Sequence, residues 1–296
     1  MKRILILGKQ NPIASSIYNL LTSETKWQVD LEFDNYEQKQ ATDTVLFPIL
    51  YDKKEIKRVV AEFQPNYIIN CLTFDDIDFV EINKKYAWDY KYGITESLIR
   101  AASMYESNII NFSSEYIYNG MSGPFNEEHL PEPINYYGKI KLGCENQLIG
   151  SNIGFVTFRI PEYYGGVSLL NSNIYYKILN DKKVWLATNS FTTPIYIEDV
   201  SVAVLKALYK NKHGFYNLAG NDYVSEYEYG LRIAKYLEKD TKLIEPYTYS
   251  LTAHKNSANK YLRGGLVNLK AQTDLNCKFV NLHSGLSSIK YQNNIT

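Results

Sequence analysis

The chain has no run of about eighteen apolar residues, so no segment reads as a membrane-spanning helix. It has no excess of either charge: 32 Lys and Arg stand against 32 Asp and Glu. A protein that lived by neutralising nucleic-acid phosphates would carry a basic surplus, so nucleic acid is excluded as a partner. Cysteine is scarce. Cys71, Cys144 and Cys277 are an odd number at wide spacings, which argues for reduced thiols and against a disulfide framework or a thiolate zinc site. The four histidines, His129, His213, His254 and His283, never fall at metal-ligand spacing, and no metal is expected. The apolar stretch 4–7 behind Met1-Lys2-Arg3 is too short for a signal-peptide core, so a cytoplasmic location without membrane attachment is expected. Internal repeats, low-complexity tracts and linkers are also missing.

What is present is an ordinary globular composition, 45% hydrophobic and 22% charged. Short apolar runs alternate with amphipathic ones through the first half. Strands are expected at 3–7, 27–33, 45–50, 67–72, 109–113 and 155–160. Helices are expected from Pro12, at 55–63, at 87–105 and at 137–149. Strands separated by helical stretches build parallel βαβ units, so the fold class is α/β, a Rossmann-like doubly wound sheet. Beyond residue 160 the rhythm loosens, with helical patterns at 200–209 and 227–237. The expected division is a cofactor-binding domain at 1–158, rejoined by 190–220, and a smaller C-terminal substrate lobe from 159–189 and 221–296.

The first strand runs into Gly8-Lys9-Gln10-Asn11-Pro12-Ile13-Ala14. A turn from a strand into a helix is where a dinucleotide pyrophosphate would lie, on the helix's free N–H groups and positive dipole end. Only the first of the usual glycines is present. Asn11 can take a left-handed conformation in place of the second, and Ala14 is small enough for close helix–strand packing. Gly8, Gln10, Asn11, Pro12 and Ile13 are therefore cofactor candidates. Asp30, about twenty residues after the turn, can accept hydrogen bonds from an adenosine ribose, a slight preference for NAD over NADP that Lys9 offsets.

The sharpest signal is Tyr137-Gly138-Lys139-Ile140-Lys141, the chain's one Tyr-x-x-x-Lys among 27 tyrosines. Residues four apart on a helix share a face, and an ammonium beside a phenol favours the phenolate. Such a tyrosine can protonate a carbonyl oxygen as hydride reaches the carbon. Upstream, Ser113-Ser114-Glu115-Tyr116 places two hydroxyls at the end of a strand.

The stretch 113–145 resembles the extended short-chain dehydrogenase/reductases, and within them the dTDP-4-dehydrorhamnose reductase branch. That branch carries Ser-Thr-Asp-Tyr-Val-Phe-x-Gly and Tyr-Gly-x-x-Lys-x-x-Gly-Glu. Pro65–Cys71, Asp78 with Glu81, Phe158-Arg159, Tyr164-Gly165, Pro194 with Glu198-Asp199, and Gly214–Leu218 match further segments of it. The resemblance implies that Ser114, Tyr137 and Lys141 are catalytic and that Asn70, Cys71, Leu72, Tyr137 and Lys141 bind the cofactor, NADPH or NADH. Ser114, Glu115, Tyr116, Glu162 and Arg263 are the expected substrate contacts. The implied activity is reduction of the 4-keto group of a nucleotide-linked 6-deoxysugar for glycan synthesis; a homodimer is left open. Departures lie on the substrate side: Glu162 stands where the branch has a tryptophan, and Leu262-Arg263-Gly264 replaces an Arg-Pro. Lys91 stands where many relatives have an asparagine. Two alternatives stay open, an epimerase or dehydratase of the same superfamily and a non-catalytic subunit like the regulatory one of methionine adenosyltransferase.

Overall fold

A computed structural model describes residues 1–32, 36–37, 47–48, 53–74, 76–166, 174–250 and 257–293. Six strands form the central sheet: β1 (Arg3–Leu7), β2 (Gln28–Glu32), β3 (Tyr67–Asn70), β4 (Asn108–Ser114), β5 (Phe155–Ile160) and β6 (Gly214–Asn217). Their order is β6-β5-β4-β3-β1-β2, and every pairing is parallel. Strand order reverses between β1 and β3. In such sheets ligands bind outside the carboxyl ends of the strands at that point.

The alternation along β1 shows how the sheet is sandwiched. Ile4 and Ile6 join one apolar cluster with Ile13 and Ile17 of α1 (Pro12–Glu24); Leu5 and Leu7 join another with residues of α2 (Lys53–Phe63). A short helix, α3 (Ile77–Ile82), leads into the long α4 (Lys84–Met104), and α5 (Tyr136–Ile149) packs beside it. Ala87, Tyr90, Ile94 and Leu98 of α4 and Ile140 and Cys144 of α5 fill the second cluster. The first is completed from the far half of the chain, by Val200 and Val204 of α7 (Ile197–Tyr209), with α6 (Ile174–Leu179) lying before it. All four residues from Ile4 to Leu7 are fully buried. Burying a side chain of that size is worth about 1.5–3 kcal/mol.

The expected strand at 45–50 does not enter this sheet as described. Phe47–Pro48 pairs antiparallel with Tyr36–Glu37, and the rest of 45–50 lies outside the described residues. Proline has no N–H to give a ladder, which confines it to edges and short pairings. The remaining expected elements appear within a few residues of their expected bounds, and α3 was not anticipated. Past β5, three two-residue to four-residue strand pairs and α8 (Glu226–Tyr236) gather over the carboxyl edge. No helix among the described residues is long and apolar enough to cross a membrane.

Candidate active site

A cleft of about 490 Å³ opens between the carboxyl ends of β1, β3, β4 and β5 and the later part of the chain. Asn70, Cys71, Leu72, Ser114, Glu115, Tyr116, Tyr137, Lys141 and Glu162 all line it, together with Asn11 and Ile13. The sequence candidates Gly8, Gln10, Pro12, Asp30 and Arg263 do not. Gly8, Gln10 and Pro12 belong to the adjacent turn, Asp30 sits on β2 beside Leu5, and Arg263 is exposed.

The first turn keeps its glycine for a reason: Gly8 has φ +106°, a conformation side chains rarely adopt. Asn11 corrects the expectation made for it. Its φ is −77°, so it replaces no left-handed glycine. Instead its Oδ1 accepts from the Ile13 N–H at 2.9 Å as the helix N-cap, and its Nδ2 donates to the Cys71 carbonyl at 2.9 Å. The turn is thereby tied to the end of β3. The tie also takes up the Ile13 N–H, and Pro12 has none, so α1 offers an anion fewer donors than a bare helix start would.

Helix α5 carries the phenol and the amine. Asn135 caps it by accepting from the Gly138 N–H at 2.8 Å, and Glu81 accepts from the Tyr136 N–H at 2.9 Å. Gly138 is dictated by contact, because a Cβ there would stand 2.0 Å from the Tyr116 carbonyl oxygen. The helix therefore approaches the β4 end closely enough for its next turn to enter the cleft. Lys141 donates to the Thr73 hydroxyl at 3.0 Å and to the Phe112 carbonyl at 3.1 Å, and its Nζ lies 5.3 Å from the Tyr137 ring centre. The edge of Tyr116 meets Tyr137 at 5.9 Å, and Tyr261 leans on Tyr116 at 4.8 Å. From below, Glu145 of α5 holds Arg159 of β5 through bonds of 3.0 and 2.8 Å, and Arg159 also donates to the Tyr118 hydroxyl at 2.8 Å. This buried pair fixes the helix to the sheet.

Ser114 Oγ accepts from the Tyr116 N–H at 3.3 Å, capping the turn Glu115–Ile117, and among the described residues no acceptor takes its own proton. Ser113, 2% exposed, lines the same cleft with no protein partner for its Oγ. Glu115 accepts from the Thr192 hydroxyl at 2.8 Å and from the Gly265 N–H, yet burial pushes its carboxyl up to about 7. Glu162 accepts from the Ile174 N–H at 3.0 Å and is likewise pushed up to about 7, first by burial and then by the Glu226 charge.

Several lining residues escaped the sequence reading. Thr73 anchors Lys141. Lys177 enters from α6 and Lys182 and Lys183 from the turn after it, near the exposed Trp185, and Lys260 faces Glu226 at 3.8 Å. Lysines at a helix end read as a solvated face, so no signal marked them. Lys91 did carry a signal, a lysine on the apolar stripe of α4 between Ala87 and Ile94.

The chain resembles two kinds of known protein. The chain is 25% identical over 261 residues to the methionine adenosyltransferase 2 subunit beta of Rattus norvegicus, covering 84% of this chain and 76% of that one. It is 22% identical over 242 residues to a dTDP-4-dehydrorhamnose reductase of Aggregatibacter actinomycetemcomitans, covering 79% and 78%. A crystal structure of dTDP-4-dehydrorhamnose reductase from Bacillus anthracis in complex with NADP superposes with a TM-score of 0.81 at 17% identity over 99% of both chains. That likeness shows the Rossmann-like α/β fold. Residues 1–289 match the family described as the RmlD substrate binding domain, and the chain belongs to that family.

Proposed function

We propose that the chain is an NAD(P)H-dependent oxidoreductase that reduces the 4-keto group of a nucleotide-linked 6-deoxysugar. The observation that carries this reading is the placement of Lys141 over Tyr137, with its ammonium held on the Phe112 carbonyl and Thr73 at the mouth of the sheet. The residues present fit a dinucleotide. Gly8 lets the backbone turn at the end of β1, and the orphaned Ser113 hydroxyl and the Cys71–Thr73 segment would offer the dinucleotide polar contacts. When bound, the cofactor supplies the hydride. The chain's residues do the rest: Ser114 donates its free proton to the carbonyl oxygen and orients it, and Tyr137 gives its phenolic proton to that oxygen. Lys141 stabilises the phenolate left behind, since an opposite charge at this range favours the ionised form. The division into a cofactor half, 1–158 with 190–220, and a substrate lobe belongs to the same reading. The relative from Aggregatibacter and the structure from Bacillus anthracis support it.

The methionine adenosyltransferase subunits favour a second reading, a dinucleotide-binding subunit without turnover. The reduced donor set at the α1 start accords with that alternative; the assembled Ser114, Tyr137 and Lys141 speak for catalysis. Oxidation of NADPH or NADH by the purified chain, across a panel of nucleotide-linked 4-ketosugars, separates the two. Turnover of at least one sugar is expected. Cofactor binding without oxidation of any would overturn the enzyme reading in favour of the subunit.

A further inference from the structure

Lys91 lines the cleft with no carboxylate among its described contacts. It is 1% exposed, and its Nζ donates to the Leu72 carbonyl, one residue before the Thr73 hydroxyl that holds Lys141. Two amines are thus fastened to consecutive residues at the end of β3, on the floor of one cleft.

The groups around Lys91 can be named element by element. From α5 come Lys141 and Cys144, the latter directing its Sγ at the Lys91 carbonyl 3.8 Å away. Cys71 faces it from the end of β3. β4 contributes Ser113 to the floor, which does not titrate. From α3 and the residue before it, Asp76 and Asp78 line the same cleft, but Asp76 caps α3 through the Asp78 and Phe79 N–H groups. Asp78 accepts from the Ala258 N–H at 2.7 Å. On α2, Glu55 and Glu62 pair with Arg58 on the outer surface.

An ammonium buried without a counter-charge, beside a second ammonium, is disfavoured twice, by lost hydration and by like charge. Both effects lower the Lys91 amine, to about 7. Lys91 therefore gains its positive charge near neutrality, beside Lys141.

We infer that Lys91 is a positioning residue that tunes which redox form of the nicotinamide cofactor this cleft prefers. The oxidised nicotinamide ring is a cation and the reduced ring is neutral. A second positive charge on the floor of the cleft repels the first and spares the second, so protonating Lys91 favours the reduced form. This inference rests on the dinucleotide reading above. No bond of the cofactor forms or breaks; Lys91 only exchanges a proton with solvent.

Binding of NADP⁺ and NADPH to the full chain tests it, by calorimetry and by the fluorescence of the reduced ring, at about pH 6 and about pH 8. Taking the ratio of the two dissociation constants cancels the titration of the 2′-phosphate common to both. For the wild type, the ratio of oxidised to reduced Kd is expected to rise about three- to tenfold from the higher pH to the lower. Lys91→Met should remove most of that rise and keep the ratio near its high-pH value. Lys91→Arg should hold it flat at its low-pH value or above.

Glu115 and Glu162 also change charge near neutrality, with the same sign of effect on a cationic ring. A Lys91→Met protein that kept the wild-type pH dependence would assign the effect to them and overturn the inference. A flat wild-type ratio overturns it with no need of either variant. Failure to bind either form at either pH is a different result, and overturns the dinucleotide reading itself.

Discussion

The two sides of the cleft bury opposite charges and hold them by opposite means. The floor carries amines, Lys91 and Lys141, fastened to the Leu72 and Phe112 carbonyls. The facing wall carries carboxylates, Glu115, Glu162 and Glu226, which accept from the Gly265, Ile174 and Ala187 N–H groups. Floor and wall thus use the two halves of the peptide unit. Strand ends that have finished pairing expose carbonyls, and these suit cations. Loops and helix starts expose N–H groups, and these suit anions. One physical cause, burial, then moves the two sides toward each other. It lowers Lys91 to about 7 and raises Glu115 and Glu162 to about 7. Near neutrality both sides are only partly charged, which makes the cleft responsive to pH with no histidine among the described residues of its lining.

The comparison breaks most visibly at the floor. Tyr137→Phe keeps the ring and its edge contact with Tyr116, so folding and cofactor affinity should survive while turnover drops ~10²–10⁴-fold. Steady-state rates at saturating cofactor check this, and a variant retaining more than about a tenth of wild-type turnover would show that another group donates the proton. Glu145→Gln leaves the Arg159 guanidinium buried without its partner. A loss of about 3–5 kcal/mol in chemical denaturation is expected, and one below about 1 kcal/mol would deny the pair its role in fixing α5.

On the wall, Glu115 is ionised near its ordinary value of 4.5 in the unfolded chain and near 7 in the fold. As pH rises through that window the unfolded chain loses its proton first, so this residue's contribution to stability is present below 4.5 and lost on passing 7. Glu115→Gln should flatten the stability–pH curve there by on the order of 1–3 kcal/mol, the amide accepting from Gly265 and donating to Thr192. Equal slopes for variant and wild type would contradict it. Glu162 is only partly buried, so water tempers the same effect there and Glu115 is the cleaner probe. The smallest change is expected at Asn11→Ala, which removes a helix cap and should cost about 1 kcal/mol by thermal unfolding. A cost near zero would mean the tie to Cys71 does not bear on the fold.

Much of the floor was legible because it depends on local spacing. Tyr137 and Lys141 sit one helical turn apart, and strands of continuous aliphatics end where Asn70 and Ser114 stand. Gly138 was quoted as part of a pattern but not explained, since its reason is a carbonyl of Tyr116 more than twenty residues earlier. The wall was less legible. Glu226, Lys260 and Tyr261 reach the cleft from elements far apart in the chain, and no periodicity announces such a meeting. Arg263 was expected at the substrate and lies exposed, its backbone spent on Gly120 and Gly123. Asn11 was read for its tolerance of unusual backbone, whereas the structure uses its side chain.

That side chain has a thermodynamic consequence for whatever the first turn receives. A glycine at Asn11 would leave the turn free to sample many conformations, and a ligand would have to select one of them. Asn11, bonded to Ile13 and Cys71, settles the choice during folding. Fixing one residue's backbone costs about 1–2 kcal/mol of conformational entropy. That ordering precedes the encounter, so a ligand loses less entropy at a turn already formed. The scarcity of glycine that made the motif look worn thus produces a stiffer receptor, one that offers fewer donors but needs less rearrangement to present them.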